Sequence, residues 1–504
     1  MGGRGGTPTR YRRESTVLVH RAEADPHRPA VHLVSSDGWL NDPNSIGESA
    51  TASTSSTNTT HTGPITTGSI NPAEEDIGVP TKRTRDIAQA AATAPRPRAH
   101  LTSETGWLND PHGVYYLDGR YHVFFQHVPD SLEWRSDVHW GHATSTDLLH
   151  WQWEPIALSP GDGDDGCWSG CSVIGDDGKP ALFYTSAAGA DHQVASIRIA
   201  RPSGDGAWVK GVVVAKAPRR NIRLFRDPMV FRDGPDWRML VGAGTTDGTA
   251  EVHTFISGDL ETWEYDGVLA SRNTGLQHPW TGTGWECPQL IRANGDGSDV
   301  LIVSIWDDHA PHDVAAATGI YADGRFKPHR WRLLTSGQSH FAASTFTDAE
   351  DRTSILFWVR GIADPGNWSG ALSIPYVLTT DGDEIRLSPH PAVAGARTNP
   401  LGAPGAAIDV EWESAAGQRL ALEDADGREH AVIEAGEGRI TITVPGEQAP
   451  IDVAHSSPTL RIIADIRVLE VVADSGLVGL PLPATASGLV PRTDTANIRW
   501  WHLT

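Results

Sequence analysis

Between residues 100 and 390 the chain offers nothing from which to build a long helix. Apolar, β-branched and aromatic residues come in short runs, at 121–126, 181–185, 194–199, 238–242, 252–256, 300–305 and 354–359, with Gly, Asp, Asn and Pro in the gaps. Runs this short, without a 3.6-residue period and bounded by turn formers, form strands, so the fold class is all-β. The sequence also echoes itself. Ser145-Thr146-Asp147-Leu148-Leu149-His150-Trp151 and Ser257-Gly258-Asp259-Leu260-Glu261-Thr262-Trp263 share Ser-x-Asp-Leu-x-x-Trp, 112 residues apart. Two units of about 50–60 residues fill that offset, the size of a propeller blade, although the offset does not fix how many blades there are.

Composition changes on either side. Residues 394–407 are a Gly/Pro/Ala linker. Beyond them, runs at 418–423, 429–434, 439–444, 459–463 and 468–472 alternate with period two, the pattern of a β-sandwich. No chemistry-bearing constellation stands in this part. Its expected role is to pack against and stabilise the larger region, with carbohydrate binding as a lesser alternative. At the other end, residues 48–70 are Ser, Thr, Gly and Asn with hardly a large apolar side chain. Such composition cannot offset backbone entropy by burial. The expected plan is therefore a disordered extension over 1–95, a catalytic β-propeller over 96–393, the linker 394–407 and a β-sandwich over 408–504.

Three acids stand out within the strand-rich region. In Gly106-Trp107-Leu108-Asn109-Asp110-Pro111-His112-Gly113, the proline biases Asp110 toward extended geometry, and His112-Gly113 reads as a turn. Phe225-Arg226-Asp227-Pro228-Met229-Val230-Phe231 repeats the Asp-Pro device, and Trp285-Glu286-Cys287-Pro288-Gln289-Leu290 sets a glutamate between an aromatic residue and a proline. Taken singly, each also fits a surface turn, and Arg226-Asp227 also fits a surface ion pair. Taken together, three pinned carboxyl groups with apolar flanks suit one partly dry site. There, one carboxylate can attack an anomeric carbon while a carboxylic acid protonates the leaving oxygen.

In this order, Trp107-Leu108-Asn109-Asp110-Pro111, Phe225-Arg226-Asp227-Pro228 and Trp285-Glu286-Cys287-Pro288 resemble the signature motifs of glycoside hydrolase family 32, which includes invertase, sucrose-6-phosphate hydrolase, inulinase and levanase. Trp140-Gly141-His142-Ala143-Thr144-Ser145, Trp168-Ser169-Gly170 and Leu372-Ser373-Ile374-Pro375 extend the resemblance, which runs from about Arg96 to near Leu482. It implies a five-bladed β-propeller with the site in its axial funnel, followed by a C-terminal β-sandwich. It further implies Asp110 as nucleophile, Glu286 as general acid/base and Asp227 as a transition-state stabiliser. Asn109, Gln126, Trp134, Trp168, Ser169 and Arg226 are implied to bind the sugar. On the residues alone, Gln126 equally fits a strand residue capping backbone groups. Trp285 and Leu290 are expected to give Glu286 apolar surroundings. His112 stands where the family usually has Asn, a change expected at the pocket entrance. Trp140, Gly141 and His142 are expected to be structural, and His340-Phe341-Ala342-Ala343 stays outside the candidate set.

The Asp110 motif has an earlier near-copy. Arg28-Pro29-Ala30-Val31-His32-Leu33 and Gly38-Trp39-Leu40-Asn41-Asp42-Pro43-Asn44 parallel residues 96–112. The first copy runs into Ser/Thr-rich sequence, whereas the second runs into Tyr115-Tyr116 and Tyr121-His122-Val123-Phe124-Phe125, which is strand material. Asp110 is therefore assigned, and Asp42 is not.

A formal charge of −22 argues against nucleic acid and anionic membrane partners and favours a neutral sugar. Most of the 19 Trp are assigned to the core rather than to sugar stacking. The three cysteines, Cys167, Cys171 and Cys287, read as buried thiols rather than a disulfide framework, with a Cys167–Cys171 bridge the alternative. Cys287 is expected to be packing. No metal and no cofactor are expected. No run of 18 apolar residues and no signal-peptide core are found, so a cytoplasmic monomer or homodimer is expected. The resulting expectation is a retaining β-fructofuranosidase acting on sucrose or fructo-oligosaccharides. The alternatives are a fructosyltransferase forming fructo-oligosaccharides or a difructose anhydride at the same site, and a non-catalytic sugar-binding propeller.

Overall fold

A computed structural model describes residues 96–504 apart from 190–191, 205, 276, 294–296, 401, 447–448, 484–487 and 495–496. The Asp42 motif and the proposed extension over 1–95 lie outside the described residues. The regular secondary structure of the described chain is almost entirely strand. Its one α-helix among the described residues is Pro391–Gly395, capped by the His390 side chain.

The strands come in antiparallel meanders. Gly106–Leu117, Arg120–Val128, His139–Ser145 and Trp151–Leu158 make the first, followed by Gly166–Ile174 to Trp208–Lys216, Ile222–Asp233 to Glu264–Arg272, and Gly284–Ile291 to Arg325–Leu333. A further meander begins with His340–Thr347 and Thr353–Asp364. The leading strands neighbour one another in chain order, and His340–Thr347 also neighbours Gly106–Leu117, so they close a ring. The closure is sealed by hydrogen bonds. Trp368–Leu372 pairs antiparallel with Thr353–Asp364 and parallel with Gly106–Leu117, Gly106 facing Trp368. The approach there is so close that a Cβ on Gly370, whose φ is +96°, would lie 1.7 Å from the Leu108 carbonyl oxygen.

The echoed heptads are one turn built twice. Ser145 Oγ accepts the backbone N–H of Leu148 at 2.9 Å, and Ser257 Oγ that of Leu260 at 3.0 Å. Asp147 and Asp259 then cap the next two backbone N–H groups of their own copy. Both leucines sit at positive φ and are buried. Short polar side chains that bond their own backbone explain the recurrence of Ser-x-Asp at the third turn of a meander.

Residues from Arg397 onward form two stacked sheets. Six strands, including Ala407–Glu413, Thr459–Asp465, Val468–Ala473 and Gly476–Pro481, face five that include Arg419–Glu423, Glu429–Gly436 and Arg439–Thr443. The inner faces supply a core of Ile408, Val410, Trp412, Leu420, Ile433 and Ile462, as period-two alternation requires. The outer face of the six-stranded sheet is apolar too. Ile463 and Leu477 pack there with Ile355, Phe357 and Ile374 of the last meander. Arg397–Thr398, inside the expected linker, adds to the edge of this sheet. No helix among the described residues is long and apolar enough to cross a membrane.

Candidate active site

Every leading strand of the ring breaks register partway along. The irregularities fall at Asp110, at Ser169, at Asp227, at Cys287-Pro288 and at Ala342-Ala343. Proline supplies no N–H to a ladder, which makes Pro111, Pro228 and Pro288 natural places for a bulge. A bulge re-aims the side chain it carries. Here it holds Asp110 at φ +34°, Asp227 at +60°, Cys287 at +45° and Ala342 at +51°, sparsely populated geometry of the kind that marks functional sites. The extended Asp110 expected from Pro111 is thus overturned. His112-Gly113 is not a turn either, because the strand runs on through a second irregularity between His112 and Tyr115.

Four of the five bulges join in one hydrogen-bonded circuit. Asp110 Oδ2 accepts from Ser169 Oγ at 2.8 Å and from Gln126 Nε2 at 3.3 Å, while its Oδ1 accepts from Asn109 Nδ2 at 2.8 Å. Gln126 Oε1 accepts from Trp134 Nε1 at 3.0 Å and from Asn109 Nδ2 at 3.2 Å. Gln126 therefore binds side chains of the site rather than capping the backbone. Asn109 is aimed by Trp107, whose Nε1 donates to Asn109 Oδ1 at 2.6 Å. Beyond Ser169, Thr185 Oγ1 donates to the Ser169 carbonyl at 2.8 Å and accepts from the Asp227 N–H at 2.8 Å. Asp227 Oδ2 accepts in turn from the Cys287 N–H at 3.2 Å. All three acidic residues are at most 7% exposed.

Arg226 closes the circuit, though not with its sequence neighbour. Its guanidinium pairs with Glu286, donates to Gln193 Oε1 at 2.9 Å and lies over the Trp168 ring at 5.2 Å. Its Nε is 4.0 Å from Asp227 Oδ2. The surface ion pair is excluded, since Arg226 and Asp227 are 6% and 4% exposed. The apolar surroundings expected for Glu286 are also corrected. Successive strand residues face opposite sides, so Trp285 points away, into a core with Leu290, Leu301 and Ile305, and its Nε1 donates to the Thr281 carbonyl. The side of Glu286 away from that core carries Arg226 instead.

The electrostatics follow from three acids and one cation in a dry cup. Burial first, and the Glu286 charge second, push the Asp110 carboxyl up to about 6, against the hydrogen bonds from Ser169 and Asn109. Burial and Glu286 hold the Asp227 carboxyl well above the usual range, only partly opposed by Arg226. Burial and the carboxylates raise the Cys287 thiol far above its usual value, so it stays protonated and is no nucleophile. All three cysteines are free and buried.

Among residues outside the expected set, Thr185, Gln193, Trp107 and the Cys287 N–H belong to the site. Phe341 and Ala342 share its floor cluster with Trp107, Trp168 and Cys287. Trp107, Cys287 and Phe341-Ala342 lie in motifs noted in sequence without being assigned to the site, whereas Thr185 and Gln193 lie in none. Trp134 is half-buried, edge-on to Trp168. His112 is not at an entrance. It is 2% exposed, its ring 4.0 Å from that of Trp140, and burial pushes its imidazole down to about 3. Trp140 and His142 are structural, with Trp140 Nε1 donating to the Trp168 carbonyl at 2.9 Å and His142 stacked on Phe124. Among the described residues, no set of His, Cys, Asp and Glu is arranged to hold a metal ion.

Comparison with known proteins bears on what such a site does. A family model described as the glycosyl hydrolases family 32 N-terminal domain matches residues 100–391. A sucrose-6-phosphate hydrolase of Escherichia coli is 32% identical over 314 residues, 58% of this chain and 64% of that protein. A raffinose invertase of Escherichia coli is 31% identical, over 57% of this chain and 63% of that protein. The chain thus spans just under two thirds of the length of these curated relatives. Among solved structures, a family 32 β-fructofuranosidase of Bombyx mori superimposes with a TM-score of 0.70 at 21% identity, covering 84% of this chain and 99% of that one. A sucrose-6-phosphate hydrolase of Lactobacillus gasseri gives 0.72 at 22%, covering 83% and 96%. At such identities the likeness is one of fold.

Proposed function

Because the chain belongs to glycosyl hydrolase family 32, we propose that it is a retaining β-fructofuranosidase that removes terminal fructosyl units from sucrose or fructo-oligosaccharides. The ring of leading strands is assigned as the axis of a five-bladed propeller spanning 96–393, joined through 394–407 to a sandwich over 408–504. One observation carries the reading: Asp110, Asp227 and Glu286, 176 residues apart at the extremes, are buried in one hydrogen-bonded cup beside the Arg226 guanidinium.

In the proposed mechanism Asp110 attacks the anomeric carbon of the fructosyl unit. The bond to the leaving oxygen breaks as Glu286 gives that oxygen its proton, leaving a fructosyl ester on Asp110. Water then attacks the same carbon, Glu286 takes the water's proton, and the ester bond breaks to free fructose and restore both groups. Double displacement of this kind needs the two carboxyl groups about 5–5.5 Å apart. Asn109, Ser169 and Gln126 fix the direction in which Asp110 attacks, as productive geometry requires. Asp227 and Arg226 take the sugar hydroxyls, and Trp134 and Trp168 offer ring faces to its C–H groups.

The test is Asp110→Asn and Glu286→Gln in the purified protein, with fructose release measured on sucrose, sucrose 6-phosphate, inulin and levan. Asp110→Asn should lower kcat by at least about 10⁴-fold and Glu286→Gln by about 10²–10⁴-fold while the fold persists. Unimpaired turnover in either variant would remove the assignment. Chromatography at high sucrose separates the rival outcome, since mainly trisaccharide would make the protein a transferase.

A further inference from the structure

The sandwich sends two acids into the joint beneath the cup. Asp465 and Glu470, on Thr459–Asp465 and Val468–Ala473, are wholly buried, as are the two histidines they meet. His100 places Nδ1 2.9 Å from Asp465 Oδ2 and Nε2 2.7 Å from Glu470 Oε2. With a carboxylate on each nitrogen it carries both protons, and its imidazole is raised to about 9. Asp465 also collects the backbone N–H groups of Arg98, Ala99 and His100. Glu470 reaches further. Its Oε2 accepts the Ile374 N–H at 3.0 Å, and its Oε1 accepts from His340 Nε2 at 2.8 Å.

His340 opens the leading strand His340–Thr347, whose bulge carries Ala342. Its ring is held from three sides, two of them by the sandwich. Glu470 holds Nε2. Ser339 Oγ, 2.9 Å from Nδ1, accepts the N–H of Gly479 at 2.9 Å. Gly479 itself lies against the ring, where a Cβ would stand 2.8 Å from His340 Cε1. The next two residues, Phe341 and Ala342, are buried against Trp107, Trp168 and Cys287. Those three hold Asn109, Arg226 and Asp227 respectively. A buried ion cluster is poor value as pure stabilisation, because desolvation cancels most of the attraction. What it does supply is a fixed direction for each group in it.

We propose that Glu470 is a positioning residue for the active site: through His340 it sets where Phe341 and Ala342 lie, and thereby the floor on which Asn109, Arg226 and Asp227 are aimed. The sandwich then tunes turnover as well as stability. The proposal rests on the fructosidase reading for what the cup does, but not for where its floor lies.

Three variants of the full chain test it. Gly479→Ala pushes from the sandwich on the His340 ring, and as closely on Val359, which pairs with His340, without changing a charge. Glu470→Gln removes the charge that holds the ring. Asp465→Asn disturbs the same cluster but touches only His100 and residues 98–100. At a temperature well below each Tm, Gly479→Ala and Glu470→Gln should lower kcat by about 10-fold or more with KM within about threefold, since sub-ångström misplacement is felt in the chemical step. Asp465→Asn should lower Tm yet keep kcat within about twofold. Equal kcat in all four proteins, or a loss with Asp465→Asn as large as with Glu470→Gln, overturns the proposal. Should Glu470→Gln fail to fold, Gly479→Ala decides alone. Crystal structures of wild type and Gly479→Ala read the same point without turnover: Phe341–Ala342 should shift relative to Trp107, and an unmoved floor overturns the proposal. A wild type that releases no fructose from any substrate sinks the function while leaving this structural comparison in force.

Discussion

Ser169→Ala isolates one interaction in the cup. Ser169 is 1% exposed, donates to Asp110 Oδ2 at 2.8 Å and accepts from Gln126 Nε2 at 2.6 Å. Its bond favours the ionised carboxylate, so removing it must raise the Asp110 pKa. A hydrogen bond to a charged group is worth about 1.5–3 kcal/mol. At about 1.4 kcal/mol per pKa unit, this corresponds to about 1–2 units. Gln126 Nε2 loses its Ser169 partner and stands 3.3 Å from the same oxygen, so it can close on Asp110 and restore part of the loss. The shift should therefore fall near the lower end, about one unit. An attacking carboxylate must be ionised, and the acid limb of kcat/KM reports the free enzyme. That limb should move from about 6 toward 7. Relative to wild type the variant should lose about fivefold at pH 6 and almost nothing through this effect at pH 8. Initial rates of fructose release at low substrate, from pH 4 to 9, make the measurement. A limb that stays within about 0.3 unit, or moves to lower pH, would refute both the Ser169 geometry and the role given to Asp110.

Two further outcomes concern stability. The folded Asp110 pKa lies above its unfolded value, so ionising it costs stability as pH rises from about 4 through about 6; Asp110→Asn should therefore be more stable than wild type by about 2–3 kcal/mol at pH 7, with the gain gone by pH 4 in urea unfolding. His100 is the opposite case. Its raised pKa gives stability that is complete below about 6.5 and lost as pH rises through about 9, while the lowered Glu470 pKa gives stability complete above about 4.5 and lost as pH falls through about 2. His100→Gln should thus cost most between pH 4.5 and 6.5, about 3 kcal/mol, and little at pH 10; a cost that does not vary with pH would deny the charged cluster.

Much of the site could be read along the chain because its chemistry is written beside its geometry. Asp110, Asp227 and Glu286 each precede a proline within two residues, and a proline, with no N–H to give the ladder, suits the break in register found there. The echoed Ser-x-Asp-Leu-x-x-Trp was legible for the same reason, since its side chains bond to their own backbone. What could not be read is what crosses between strands. Arg226 faces Glu286, 60 residues on, more closely than it faces Asp227 beside it. Trp285, next to Glu286 in sequence, belongs to another core. His112 sits under Trp140, a contact its own neighbours do not announce.

By itself the sequence determined the all-β class of fold and pointed to the three acids that gather in one cup, because short alternating runs and proline-bounded motifs act over a few residues. Tertiary structure alone decided the left-handed bulge at Asp110, the partner of Arg226, and the reach of Glu470 to His340 across 130 residues. Each of these is a balance of burial against pairing. Both quantities depend on which strands close the ring and which face of the sandwich is turned toward it, and no local stretch of chain contains that information.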